Sequence, residues 1–508
     1  MFGKVLQSND KSSKAYNHVL KYTGIFGGVH GITAVLSVVR NKFVAVLLGS
    51  VGLALIDIYN HAMVLLGNAT QFGISTTAVR TLSFLYEKGD EKELSEYIKV
   101  IRSWSLLTAI LGSGVCIIFA PLISKFTFGN YDYTFQFILL SPIVAMLSIS
   151  GVETAILKSL RHLKDFAYAT MIGAVCTLLI CVPFYVIWGL KGIIPALVLS
   201  TMAATVVNLS FSLRLYKWKS NPFSRKTLSK GMDMIKLGLS FILAGIVASA
   251  AEMFVRSFLV DHGSLVDEGL YCSGFTLVVS YARFAFVSMD VDYYPRLSAI
   301  CNNVNEMNVA ISRQQEVCVL LMAPFLIFFA LFLPYIIHLL FAKSFLQVVP
   351  MALCAIFYMF FKCITTPIGY TSLAKGDSVI YFVMESAYYL VFVGLMVFCY
   401  TQWGLIGCGV ALSLSNLFDL IIISVVYHFR YHFCFSKRTV FICMAQGLLL
   451  ALCVLMAFET NLLLKYSIGL PLLIVSASGS MYFLYKETSF IEEVKIKLHQ
   501  IVNRKQSK

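Results

Sequence analysis

Four cations stand in stretches of this chain that otherwise hold almost no charge: Arg40, Arg256, Arg283 and Lys362. Even on lenient insertion scales, an ionisable side chain at the centre of a membrane helix costs roughly 2.5–3.5 kcal/mol. A sequence that keeps one there has a use for it. Arginine presents a planar fork of donors that matches phosphate oxygens two at a time, and lysine offers a point charge to the same group. For Arg40 and Arg256, near outer span ends, two readings stay open: snorkelling to headgroups, or lining a wet cavity. Arg283 falls within a span and points to a cavity; Lys362 lies about two turns from an inner end.

Acids occupy the same stretches: Asp57, Glu153, Glu252 and Glu385. Glu252 precedes Arg256 by four residues, the favourable order for a helical ion pair, and is expected to partner it. Asp57 and Glu153 could carry coupling protons if burial raises their pKa, or could hydrogen-bond neighbouring helices. His30 and His61 read as packing residues. Asp290 and Asp419, near inner ends, are expected to face water.

The elements that must position these side chains follow from composition. Hydrophobic residues make up 58% and charged residues 13%, against roughly 45–50% and about 25% in soluble domains. Runs such as 166–188 and 439–458 contain no charge and suffice to cross a hydrocarbon core of roughly 30 Å. The pattern predicts fourteen spans, near 20–39, 51–75, 100–123, 134–157, 166–188, 192–214, 237–259, 268–290, 316–341, 346–370, 378–400, 405–427, 439–458 and 464–485. The polar start has no signal-peptide pattern, so the first span is expected to stay.

A net charge of +14 suggests nucleic acid, but its distribution argues against that. With the N-terminus in the cytoplasm, about 31 Lys and Arg fall on that side and about seven on the other, as positive-inside topology requires. Both termini are then cytoplasmic. The segment 214–236 is the largest basic cluster and reads as an anchor on an anionic leaflet. The 13 cysteines are scattered singly, mostly within spans, and read as small apolar residues rather than disulfides or metal ligands. Outer loops reach only about a dozen residues, too short for a catalytic domain. No enzyme activity, metal or cofactor is expected.

The chain also repeats itself. "WGLKGIIPAL" at 188–197 returns as "WGLIGCGVAL" at 403–412, and "FAPLISKFTF" at 119–128 as "FLPYIIHLLF" at 332–341. Ser159, Leu160 and Tyr168 match Ser372, Leu373 and Tyr381; Arg40 and Arg80 stand 40 apart, as do Arg256 and Arg296. Spans one to six and seven to twelve are thus two copies of one unit. An even span count makes the repeat parallel, with the substrate path between the halves. The expected organisation is an N-terminal six-helix lobe (1–213), a basic cytoplasmic linker (214–236), a C-terminal six-helix lobe (237–435), and two appended helices with a basic tail (436–508). The fold class is an all-α polytopic membrane protein of about fourteen transmembrane helices. The glycines of the WGLxG segments should make tight outer turns, with Trp188 and Trp403 at interface depth. Glycines at 24, 27, 28 and 31 give span one a close-packing face.

The stretch 40–80, the "YYPRLS" at 293–298 and the WGLxG turns resemble bacterial polysaccharide flippases. These are the Wzx-type O-antigen translocases of the multidrug/oligosaccharidyl-lipid/polysaccharide exporter superfamily. The resemblance runs over almost the whole chain in span count, repeat and appended final pair. It implies alternating-access movement of an undecaprenyl-pyrophosphate-linked oligosaccharide, such as an O-antigen or capsule repeat unit, from the inner to the outer leaflet of a bacterial inner membrane. Arg283, Arg40, Arg256 and Lys362 would meet the headgroup, which cannot cross hydrocarbon unaided. Membrane lipids and other polysaccharide assembly proteins are the implied partners, with no nucleic acid. Two alternatives remain: a cation-coupled multidrug extruder of the same fold, and, more remotely, a membrane enzyme of polysaccharide assembly.

Overall fold

The computed structural model describes residues 31–160, 162–220, 225–280, 293–459 and 461–487. All regular structure among them is helical. After α1 (31–47) come α2 (Gly49–Thr70), α3 (Ile74–Lys88), α4 (Glu91–Phe128), α5 (Thr134–Ser159), α6 (Leu163–Trp188), α7 (Ile193–Leu215), α8 (Arg225–His262) and α9 (Leu265–Phe275). The second half holds α10 (Tyr294–Ile300), α11 (Val304–Leu340), α12 (Val349–Ala374), α13 (Ser378–Tyr431), α14 (Lys437–Ala457) and α15 (Leu462–Glu487). Among the described residues, ten continuous helical stretches are long and apolar enough to cross a membrane. Two of these, of 52 and 54 residues, each hold two of the expected spans. Large apolar side chains such as Ile110, Leu179, Phe429 and Leu463 are exposed along them, as a lipid solvent allows. This is a multi-pass membrane protein.

The repeat is visible in the elements. α4 and α11 run 38 and 37 residues, each with a proline inside at matched positions, Pro121 and Pro334. α5 and α12 are both 26 residues long. The α6–α7 stretch corresponds to α13, which a non-helical Gly404 interrupts (φ 57°, ψ −138°). A straight helix would separate Cys399 from Gly407 by about 12 Å, yet a Cβ on Gly407 would collide with the Cys399 carbonyl. The chain has doubled back there, giving two crossings rather than one rod of about 81 Å.

Several boundaries differ from those expected. α4 and α11 begin well before the predicted 100 and 316, because a helix continues into water where hydropathy no longer marks it. The Asp90 carboxylate starts α4 by accepting the Glu93 N–H at 3.0 Å, an N-cap. Half of the supposed linker is the start of α8. The amphipathic α3, after a left-handed Gly73, was not expected. Helix α9 loosens into a π turn over Thr276–Ser280, so the predicted span 268–290 is helical as far as it is described. Of the glycine face on span one, only Gly31 falls among the described residues.

Contacts divide the chain into two units: 1–273 with 339–345 and 385–393, and 274–338 with 346–384 and 394–508. The first contains a core of Ile74, Leu82, Ile98, Ile101, Trp104 and Ile156, built from α3, α4 and α5. Helix α8 packs in this unit against α2, α3 and α4. The second is centred on Tyr293, Leu297, Ile311, Ile368, Ile423 and Tyr427.

Candidate functional site

Helices α2 and α8 meet along a polar seam within the first unit. Asp57 and His61 lie four residues apart on α2, and Glu252 and Arg256 four apart on α8, so each pair shares one face of its helix. Asn68 Nδ2 donates to Ser249 Oγ at 2.6 Å farther along the same seam. Helix α9 closes on α2 at Gly269, where a Cβ would strike the Ser50 carbonyl. That close approach delivers Glu268 and Tyr271.

The pairing is not the expected one. Arg256 Nε donates to Asp57 Oδ2 at 2.5 Å, while its Nη1 donates to the main-chain carbonyl of Glu252 at 2.9 Å. Glu252 offers Arg256 its backbone; its carboxylate Oε2 lies 3.2 Å from His61 Nε2. The i,i+4 spacing put Glu252 in reach, but Asp57 on the neighbouring helix holds the guanidinium more squarely. The other ring nitrogen, Nδ1, sits 2.9 Å from the Asp57 carbonyl oxygen and 3.4 Å from Asp57 Oδ1. Both imidazole nitrogens therefore face acceptors, an arrangement satisfied by a doubly protonated ring.

Burial grades across the seam. Side-chain exposure is 2% for Arg256 and 17% for Asp57, then 22% for His61 and 32% for Glu252. Glu268 is fully buried. Neither of its carboxyl oxygens has a partner at strict hydrogen-bonding geometry; Asp57 lies near enough to share a proton with it, and Arg256 acts on it through its charge. The Arg256 guanidinium stands 6.0 Å from the centroid of the Tyr271 ring.

The remaining candidates lie elsewhere. Glu153 is fully buried in a two-pronged pair with Arg102: Nε to Oε1 at 2.9 Å and Nη2 to Oε2 at 2.8 Å. Arg102 also donates to the carbonyls of Tyr216 and Lys217, both at 3.0 Å, and to Ser212 Oγ at 3.1 Å. Trp218 lies under its guanidinium at 5.1 Å. This hub ties α4, α5 and the end of α7 together. Arg40 is half-buried and reaches Asn41 Oδ1 at 3.4 Å. Lys362 is half-buried in the field of Asp419, itself half-buried rather than open to water. Glu385 is half-buried. Arg283, His30 and Asp290 lie outside the described residues.

Three residues were missed by sequence reading. His61 was set aside as packing, though its i,i+4 spacing from Asp57 was a usable signal. Arg102 sits at the charged start of a span and looks like any cytoplasmic arginine. Glu268 opens its span and carries no local mark.

The overall fold is that of known transporters. A structure of the lipid II flippase MurJ in an inward closed conformation matches 92% of this chain and all of its own, at 15% identity and a TM-score of 0.59. An inward-facing multidrug resistance transporter of the MATE family, in the MOP superfamily, matches 79% of this chain and 94% of its own, at 15% identity and a TM-score of 0.63. A MOP superfamily transporter from Pyrococcus furiosus matches 81% and 96%, at 15% identity and a TM-score of 0.57. These likenesses show the fold that the chain shares with them. Residues 63–350 match the model of the polysaccharide biosynthesis protein family, and the chain belongs to that family. No curated protein sequence matches it.

Proposed function

We propose that this protein flips a polyprenyl-pyrophosphate-linked oligosaccharide, such as an O-antigen or capsule repeat unit, from the inner to the outer leaflet of a bacterial inner membrane. The observation that carries the reading is membership of a polysaccharide biosynthesis family on a MOP-type transporter fold. Such a headgroup is hydrated and anionic, so hydrocarbon excludes it and a protein must supply a shielded polar path. In this reading the transport unit is the two-lobe repeat, 1–213 and 237–435, with both termini in the cytoplasm. Arg283, Arg40 and Lys362 supply positive charge to the pyrophosphate, while Arg256 stays tied to Asp57 until that pair opens. Alternating access moves the headgroup while the prenyl tail remains in lipid.

The test is flipping by the purified protein in liposomes, using a short-chain polyprenyl pyrophosphate carrying a labelled oligosaccharide. Protein-dependent appearance of the label at an enzyme confined to the opposite side is the expected result. A multidrug extruder on the same fold is the second reading, favoured by the titratable Asp57–His61–Glu252 seam. Extrusion of cationic dyes without movement of the glycolipid would decide for it.

A further inference from the structure

The charges of the α2–α8–α9 cluster do not balance. Three carboxyl groups gather there: Asp57, Glu252 and Glu268. Among the described residues two cations stand against them, Arg256 and His61, and that only with His61 doubly protonated, as its two acceptors require. Full ionisation would leave one negative charge uncompensated inside the membrane, where an unpaired charge is expensive.

The excess falls on one residue. Asp57 receives the Arg256 Nε and flanks His61. Glu252 faces His61 and is the most exposed of the three. Glu268 is fully buried, no cation pairs with it among the described residues, and the one side chain near enough to share a proton with it is another acid, Asp57. The N-terminus of its own helix offers no rescue, because Asp267 N–H donates to Ser264 Oγ and Glu268 N–H to the Ser264 carbonyl. The other titratable groups nearby, Tyr271 and Cys272, carry no positive charge in either protonation state.

We propose that Glu268 holds an exchangeable proton, making this cluster the seat of proton coupling. The group is placed to exchange. His61 bridges the more exposed Glu252 and the less exposed Asp57, and Asp57 adjoins Glu268, so acids and imidazole form a chain graded from an exposed end to a buried one. Loss of the proton leaves a bare carboxylate that competes with Asp57 for Arg256. Opening the Asp57–Arg256 pair would free the guanidinium for an anionic headgroup, so proton release and headgroup binding share one switch. This coupling rests on the transport reading; the proton itself does not.

Infrared difference spectroscopy of the full-length protein in lipid nanodiscs reads protonated carboxyls directly. A protonated-carboxyl band at neutral pH should vanish in Glu268→Gln and persist in Glu252→Gln. Glutamine mimics a neutral acid, so the first variant should keep the wild-type melting temperature. Titration of the wild-type band to alkaline pH is a second readout that needs no variant. Absence of the band at neutral pH, or its survival in Glu268→Gln, overturns the proposal. In liposomes, an imposed pH gradient should stimulate glycolipid flipping several-fold in wild type and leave Glu268→Gln unstimulated. Flipping driven by a sodium gradient and indifferent to pH would overturn proton coupling. If wild type flips nothing, the transport reading fails, and the infrared result still decides the proton.

Discussion

Gly189 and Gly404, 215 residues apart, adopt one backbone conformation: φ 56°, ψ −133° and φ 57°, ψ −138°. The second glycine of each turn is equally constrained. A Cβ on Gly192 would strike the Phe184 carbonyl, and one on Gly407 the Cys399 carbonyl. Alanine at 404, where nothing crowds the Cβ, should cost about 1–3 kcal/mol for the backbone conformation alone. Alanine at 407 or 192 must displace backbone and should cost more. Thermal unfolding in detergent checks the order; equal losses at 404 and 407 would contradict it.

Breaking the Arg102 hub should destabilise strongly. Glu153→Gln leaves a fully buried guanidinium without its counter-charge, a change that costs about 3–5 kcal/mol. Replacing both partners, Arg102→Met with Glu153→Leu, should recover much of the loss. Melting temperature and abundance in the membrane report it.

Asp57→Asn should lower stability more than Glu252→Gln. The first removes the counter-charge of a guanidinium that is 2% exposed; the second loosens a pair whose members are 22% and 32% exposed. Partly solvated pairs contribute up to about 1 kcal/mol, buried ones several times that. A double substitution, Asp57→Asn with Arg256→Gln, should recover part of the difference.

Asp377 predicts an acid-sensitive contact outside the spans. Burial raises its carboxyl, but the Tyr431 hydroxyl, the Ile380 N–H and Arg430 outweigh that and hold it below its ordinary value of 3.8. Tyr431 donates at 3.0 Å and Arg430 at 3.2 Å. A depressed carboxyl contributes stability above its unfolded pKa and loses it as pH falls through the folded one. Melting temperature should therefore drop more steeply below about pH 4 in wild type than in Asp377→Asn. The variant itself should lose about 1 kcal/mol at neutral pH, with the N-cap of α13 weakened.

Topology is open to direct labelling. A cysteine at Ser224, in a cysteine-depleted background, should be unreactive to an impermeant reagent in intact cells and reactive after permeabilisation. Labelling in intact cells would invert the charge-based orientation.

What the sequence determined is whatever depends on neighbours along the chain. Apolar runs set the crossings because a fixed rise per residue meets a fixed membrane thickness. The WGLxG turns were legible because positive φ and a missing Cβ are needs of single residues. The i,i+4 faces of α2 and α8 were legible for the same reason. Which charge meets which was not. Asp57 and Arg256 are 199 positions apart, and the local pairing of Glu252 with Arg256 is outcompeted by a contact that exists only once α2 and α8 pack. The same packing turns His61 from a candidate packing residue into a bridge, commits Arg102 to five acceptors, and buries Glu268 beside a second acid, Asp57. Electrostatic partnership is a property of three-dimensional distance and desolvation, and tertiary structure sets both.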